Sequence, residues 1–301
     1  ARAIAGTLAG MPSTVGVWVG TARHSLREGR ANQALVDLDA AWEIARNGGD
    51  TRGKGQVNLA RGEAYSMLGQ LTDAVEVLRT VGPFAATVSD RTLQARGATA
   101  LGWVLARLDE MGEATEQLNA ALALARQAGD TEGEAHALLM LGDIRSRAGD
   151  EATEHLLDAL GLFATLRNRP AFATGCLRVA EHGLRIGRPD VALVASEAAR
   201  RVSTSLRNAP ALGQALRHLV QAFVAFRRVR AVLVTVYAWE AMTRSASALA
   251  MRDDYAAKTS PALRAKLESA EMEVLVRESK RWSIHCAIPI VGAVGAGLDS
   301  F

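Results

Sequence analysis

Residues 44–55 read IARNGGDTRGKG, and residues 124–135 read LARQAGDTEGEA. Both stretches contain the phrase Ala-Arg-x-x-Gly-Asp-Thr-x-Gly, and they lie 80 residues apart. A second phrase, Leu-Arg-Asn-x-Pro-Ala, occurs at 166–171 and returns 40 residues later, at 206–211. Self-similarity with a period of about 20 to 50 residues is typical of repeat architectures. The sequence therefore predicts one structural unit that recurs about every 40 residues.

Small residues recur at matching places in these units. The turn expected inside each unit falls at Gly29, Gly69, Asp109, Gly149, Gly187 and Arg227. A slim residue lies seven positions before each turn: Ala22, Gly62, Gly102, Gly142, Ala180 and Val220. Slim side chains allow two helices to approach closely, and glycine accepts the left-handed backbone that ends a helix. After the repeated phrase, Asp50 and Asp130 are predicted to cap the next helix.

This arrangement resembles the tetratricopeptide repeat superfamily. The likeness rests on Gly102 and Gly142 in the first helix of a pair, on Tyr65 three residues after a slim position, and on Ala74 and Ala114 in the second helix. The period of 40 residues is longer than the usual value of about 34 and resembles the bacterial type found in LuxR- and AfsR-like signalling regulators and in tetratricopeptide peptide receptors. The resemblance implies an all-α fold, a right-handed α-solenoid of about six helix hairpins with a C-terminal capping helix.

The coarse organisation follows from this period. The repeat solenoid is predicted over 1–248, a C-terminal capping helix region over 249–282, and an apolar, Gly-rich tail over 283–301. The second helix of the fourth pair is expected to be short, because the fourth unit is two residues shorter than the second. The predicted helix pairs are 12–28/30–47, 52–68/70–82, 89–108/110–128, 131–148/150–167, 170–186/188–206 and 210–227/229–248.

Composition narrows the class of protein. The net charge is +3, but basic residues form no consecutive block, so direct nucleic-acid binding is not expected. Two cysteines, Cys176 and Cys286, are too few for a disulfide framework and favour a reducing cytoplasm. No apolar stretch is long enough to predict a membrane span. Because the chain begins with Ala1 and not with methionine, we expect a fragment or a processed form of a larger protein.

No pattern of residues predicts catalysis. The six histidines lack the spacing of a helical metal site, and no phosphate-binding or dinucleotide-binding motif is present. Cys176 falls at an apolar position of its helix, which predicts a buried packing residue. Glu181 and His182 point to different faces of one helix, so a solvated surface is the expected role of this pair. We therefore expect no enzyme activity, no cofactor and no metal.

The candidate binding surface follows from the resemblance. In tetratricopeptide repeat proteins the first helix of each pair lines the concave face, and this implies ligand-binding roles for Arg23, Arg27, Glu63, Met67, Arg96, Trp103, Arg107, His136, Asp143, Arg147, Arg185, Arg217 and Gln221. An arginine recurs two residues before four of the turns, and guanidinium groups bind carboxylates in a bidentate manner. An extended or acidic segment is the expected guest. Alternatively, each of these arginines caps its own helix by interacting with the helix dipole.

These observations predict a protein- or peptide-binding scaffold, the sensor or interaction module of a larger bacterial regulator in the cytoplasm. The alternative is a structural module whose tail, 283–301, mediates self-association into a homodimer or autoinhibition. Trp42 falls on a second helix and is predicted to pack between repeats.

Overall fold

The computed structural model describes residues 14–225 and the isolated positions 235, 257, 261 and 265. Every regular element within 14–225 is an α-helix. The predicted capping region, the tail and the second helix of the sixth pair lie outside the described stretch. The helices are α1 (Thr14–Arg27), α2 (Ala31–Asn47), α3 (Thr51–Met67), α4 (Leu71–Arg79), α5 (Val81–Thr87), α6 (Arg91–Arg107), α7 (Met111–Ala128), α8 (Thr131–Ala148), α9 (Thr153–Thr165), α10 (Arg169–Arg185), α11 (Pro189–Ser205) and α12 (Ala209–Ala225).

Side-chain caps mark the start of the first helix in successive pairs. The carboxylate of Asp50 accepts a hydrogen bond from the Gly53 amide at 2.8 Å, and Asp130 accepts one from Gly133 at 2.9 Å. Both predicted caps are thus confirmed. The same bond recurs in the third, fifth and sixth pairs, where the caps are Asp90, Asn168 and Asn208. Each cap satisfies an amide that has no partner within its own helix, so the repeated sequence encodes repeated helix starts.

Residues with a left-handed backbone conformation end the helices, and they form two alternating series. The predicted turns within the pairs are confirmed, because all five that the structure describes have φ between +66° and +82°: Gly29, Gly69, Asp109, Gly149 and Gly187. The sixth, Arg227, lies outside the described residues. A second series lies between the pairs: Gly49, Ser89, Gly129, Arg167 and Arg207. Three residues of the second series carry side chains that disfavour this conformation, so composition alone does not reveal them.

The second helix of the second pair is broken. The prediction of one helix over 70–82 is wrong, since α4 ends at Arg79 and a further helix, α5, follows after Thr80. Pro83 has no amide hydrogen to donate to the carbonyl of Arg79, which interrupts the helical bonding at this point. A hydrogen bond from α3 stabilises the break, because the side-chain amide of Asn58 donates to the Thr80 hydroxyl at 2.8 Å. The chain therefore continues as α5 up to the next pair.

The described chain belongs to two compact units, residues 1–144 and 145–301, divided inside α8. We call them the N-terminal unit and the C-terminal unit. In the N-terminal unit α6 packs against α7, and in the C-terminal unit α10 packs against α11. The six slim positions all lie within the described residues, and all six are buried, as predicted. The second helix of the fourth pair, α9, has 13 residues against 18 in α7, which confirms its expected shortening.

Aromatic packing links the first and second pairs within the N-terminal unit. Trp42 of α2 lies 6.3 Å from the ring of Phe84 in α5, measured between ring centroids. The guanidinium of Arg61 in α3 lies 5.2 Å from the centroid of the Trp42 ring. The prediction that Trp42 packs between repeats is therefore confirmed.

Candidate functional site

A groove of 810 Å³ opens in the N-terminal unit, lined mainly by the first helices of four successive pairs, α1, α3, α6 and α8. First helices line the groove because slim residues let the second helices pack behind them. Seven of the predicted binding residues lie along it: Arg23, Arg27, Glu63, Met67, Arg96, Trp103 and His136. The structure thus brings together side chains that are up to 113 positions apart in the chain.

The floor of the groove is apolar. Leu26, Leu59 and Val104 are buried beneath it, whereas Trp103 and Met67 remain 38% and 51% exposed. Large exposed apolar side chains beside a concave surface provide contact area for a guest. The groove therefore combines an apolar floor with side chains that can cover part of a ligand.

Three arginines of the groove are unpaired. Within the described residues, no hydrogen bond or ion pair involves Arg23, Arg27 or Arg96. Four arginines elsewhere in the N-terminal unit are bound to carboxylates: Arg52 to Asp90, Arg61 to Asp39, Arg79 to Glu113 and Arg126 to Glu134. Because guanidinium groups have five donors and bind carboxylates well, these three side chains present unused binding capacity toward the groove.

Glu63 lies half-buried on α3 among these arginines. Burial raises the pKa of the Glu63 carboxyl above its usual value, although the positive charges of Arg23 and Arg96 act in the opposite direction. Removal from water disfavours the charged form of a carboxylate. The groove thus places an acid that is easier to protonate than usual between two guanidinium groups.

His136 contributes a second titratable group from α8. Burial lowers the pKa of the His136 imidazole, Arg96 lowers it further, and Glu132 and Asp130 oppose the shift. Since the usual value is 6.5, the net shift keeps His136 neutral at pH 7. At neutral pH the charges lining the groove are therefore those of three arginines and two glutamates.

Arg107 and Arg185 each bind the first helix of the preceding pair. This contact differs from the two predicted roles, ligand binding and capping of the arginine's own helix. Arg107 donates to the backbone carbonyl of Ser66 at 2.8 Å and to its hydroxyl at 2.7 Å. The equivalent contact in the C-terminal unit joins Arg185 to the hydroxyl of Ser146 at 2.6 Å. Arg107 also covers the Trp103 ring at 4.8 Å from its centroid. These two arginines therefore brace neighbouring first helices and do not simply cap their own.

The remaining predicted residues do not line the groove. Asp143 is buried in the N-terminal unit, and Arg147, Arg217 and Gln221 are exposed in the C-terminal unit. Sequence reasoning missed Glu132 and Met140, which do line the groove. They lie four residues before and four after His136, on the same face of one helix, and this spacing could have identified them.

The pair Glu181–His182 is not a solvated surface, so that prediction is wrong. His182 is buried in the C-terminal unit, and its Nδ1 lies 2.9 Å from the Ser146 hydroxyl. Arg185 can only donate to this hydroxyl, which leaves the Ser146 hydrogen for Nδ1. The other ring nitrogen, Nε2, then donates to the Thr153 hydroxyl at 3.1 Å. This arrangement holds the neutral imidazole between α8, α9 and α10.

The burial of His182 predicts a dependence of stability on pH. Burial lowers the pKa of this imidazole from its ordinary value of 6.5, although the charge of Glu151 opposes the shift. The unfolded chain binds a proton more readily, so the stabilisation present above pH 6.5 is lost as the pH falls below that value. Urea unfolding at pH 7.5 and 5.5 should show a smaller loss for His182→Gln than for the unmodified chain. His155→Gln is the control, and an equal loss in all three proteins would contradict the assignment.

Three further properties of the described residues concern a thiol, membrane spans and metal sites. Cys176 is fully buried, as predicted, and burial raises the pKa of its thiol. No helix in the described part of the chain has the length and apolar character needed to cross a membrane. Within the same part, no three His, Cys, Asp or Glu side chains group closely enough to hold a metal ion.

Comparison with solved structures identifies the class of fold. The chain has the all-α fold of tetratricopeptide repeat proteins, since it superimposes on a signal transduction ATPase with numerous domains and a tetratricopeptide repeat sensor, from Pyrococcus horikoshii. The TM-score is 0.65 at 16% identity, over 95% of this chain. The chain spans 43% of the length of that protein.

Two other solved structures are similar. The apo form of RapI matches with a TM-score of 0.57 at 13% identity, over 92% of this chain and 98% of RapI. BtubC from P. vanneervenii matches with a TM-score of 0.53 at 18% identity, over 81% of this chain and 92% of BtubC. No protein-family model matches the chain, and no curated protein matches it.

Proposed function

We propose that this chain is a scaffold, not an enzyme, that binds an extended acidic segment of a partner protein in the groove of its N-terminal unit. The observation that carries the proposal is the set of three unpaired arginines, Arg23, Arg27 and Arg96, above an apolar floor. Carboxylates of a guest would satisfy the guanidinium groups, while Trp103 and Met67 would cover apolar side chains of the same segment.

The fold supports a role within a larger protein. The Pyrococcus horikoshii protein carries its tetratricopeptide repeats as a sensor, and this chain covers 43% of its length. By analogy, we propose that the chain serves as the sensor or interaction module of a cytoplasmic bacterial signalling regulator. Occupation of the groove would then be the event that the regulator detects.

Charge reversal in the groove tests the binding mode. An array of ten-residue peptides with acidic, neutral or basic side chains is probed with the unmodified chain, which we expect to retain the acidic peptides. The double variant Arg23→Glu/Arg96→Glu should weaken that binding by about tenfold or more, because like charges face each other across the groove.

The control changes the net charge by the same amount elsewhere in the N-terminal unit. Arg46→Glu/Arg126→Glu reverses two exposed arginines on α2 and α7, which do not line the groove. This variant should retain the acidic peptides. Equal retention of acidic and basic peptides by the unmodified chain, or equal losses in both double variants, would contradict the proposed function.

A further inference from the structure

Glu63 occupies an unusual position for a carboxylate. It lies on α3, and the charges that act on it come from the neighbouring pairs, Arg23 on α1 and Arg96 on α6. It is half-buried, yet within the described residues no hydrogen bond or ion pair reaches it. Half-buried carboxylates are ordinarily bonded, since loss of water without a partner costs free energy. The groove is therefore lined by one carboxylate and three guanidinium groups that form no hydrogen bond or ion pair with one another.

Elsewhere in the N-terminal unit, arginines and carboxylates form ion pairs across helices. Arg52 reaches Asp90 at 2.7 Å, and Arg79 reaches Glu113 at 2.9 Å, both across helices. Glu63 is also not a helix cap, because Asp50 caps α3. Within the described residues, the Glu63 carboxylate thus makes no bond that would give it a structural role. It lies where a carboxylate of a guest would approach Arg23 and Arg96.

We propose that Glu63 sets the specificity of the groove by competing with a guest carboxylate for Arg23 and Arg96. The inference rests on the proposed function. A guest with one carboxylate would only take the place of the negative charge that Glu63 already presents to Arg23 and Arg96, and it would meet the like charge of Glu63. A guest with several carboxylates also reaches Arg27, which lines the groove but is not among the arginines whose charge acts on Glu63. The groove thus selects segments with clustered acidic side chains over segments with an isolated one.

Protonation of Glu63 would relieve the competition. The other titratable and charged groups that line the groove are Arg23 and Arg27 from α1, Arg96 from α6, and Glu132 and His136 from α8. A neutral carboxyl no longer repels the guest and can donate a hydrogen bond to it. Burial already raises the pKa of Glu63, and the negative charge of a bound guest acts in the same direction. Binding of an acidic guest therefore favours uptake of a proton by Glu63, and affinity should increase as the pH falls from 7.5 to 5.5.

The test uses three acetylated and amidated ten-residue peptides that carry three, one or no aspartates. Calorimetry measures their binding to the unmodified chain, to Glu63→Gln and to Glu76→Gln, a control that removes an exposed carboxylate from α4, outside the groove. Glu63→Gln should bind the three-aspartate peptide about tenfold more tightly at pH 7.5, because the like charge is gone. It should also discriminate less between the three-aspartate and one-aspartate peptides, and Glu76→Gln should behave as the unmodified chain.

Proton uptake provides a second readout. At pH 6, binding heats measured in two buffers of different ionisation enthalpy should show that the unmodified chain takes up more protons than Glu63→Gln. If Glu63→Gln binds the three-aspartate peptide equally or more weakly, with unchanged proton uptake, the inference is wrong while the proposed function stands. If neither protein binds any of the peptides, both are overturned.

Discussion

Replacing Glu197 with alanine is expected to lower the free energy of unfolding of the C-terminal unit by about 3–5 kcal/mol, the usual cost of leaving a buried charge without its partner. Arg200 is 3% exposed and binds the Glu197 carboxylate through two hydrogen bonds, each 2.7 Å long. Without that carboxylate, the guanidinium would remain buried in α11 with its main ion pair lost. Hydrogen exchange should therefore show much weaker protection of α11 and of the helices that pack on it.

Two further variants separate charge from packing. Arg201→Ala removes a half-exposed guanidinium that lies 3.7 Å from the same carboxylate, and it should change stability by less than about 0.5 kcal/mol. The double change Glu197→Leu/Arg200→Met removes both charges and should recover most of the stability that Glu197→Ala loses. If the double variant is as unstable as Glu197→Ala, the loss comes from packing and not from the unpaired charge.

Replacing Gly102 with alanine is expected to lower the free energy of unfolding of the N-terminal unit by about 1–3 kcal/mol, the range typical of an overpacked site. A Cβ atom at this position would lie 2.7 Å from Cγ of Leu118 and 3.0 Å from the carbonyl oxygen of Ala114. The backbone of α7 cannot yield as a flexible side chain can. The helix preference of alanine, worth about 1 kcal/mol over glycine, offsets only part of this cost.

Gly20→Ala is the matched control. Gly20 also lies inside a first helix of the N-terminal unit, but no atom lies within 4 Å of the Cβ that alanine would add. Here the helix preference acts alone, so this variant should be more stable by up to about 1 kcal/mol. Urea unfolding followed by tryptophan fluorescence measures both changes, since Trp42 and Trp103 belong to this unit. Equal stability of the two variants would show that the close contact at Gly102 does not affect the free energy of unfolding.

The fold could be predicted because the features that specify each hairpin are local. Turn glycines such as Gly69, capping residues such as Asp50 and slim residues such as Gly102 act within or just beyond their own pair, so their recurrence every 40 residues is visible in the chain. The break at Thr80 was not predicted, because Pro83 lies just past the predicted end of that helix at residue 82, whereas the hydrogen bond that it removes falls on Arg79.

The candidate site could be predicted only in part. The residue types were visible in the sequence, the resemblance to tetratricopeptide repeats implied the face of each first helix, and seven predicted residues line the groove. The contact of Arg107 with Ser66 depends on how two pairs pack, 41 positions apart, and it follows no helical spacing. His182 was assigned to the surface for the same reason: its partners Ser146 and Thr153 belong to other helices.

The sequence by itself determined the turns within the pairs, the caps at Asp50 and Asp130 and the positions of close approach, because these features depend on glycine, alanine and capping side chains at fixed intervals. Only the tertiary structure decided which charged residues are paired. Arg23, Arg96 and Glu63 are ordinary surface residues when each is considered on its own helix, and Arg107 has the same periodic position as a groove arginine. Pairing depends on distances between atoms of different repeats, and those distances arise only when the hairpins are packed together.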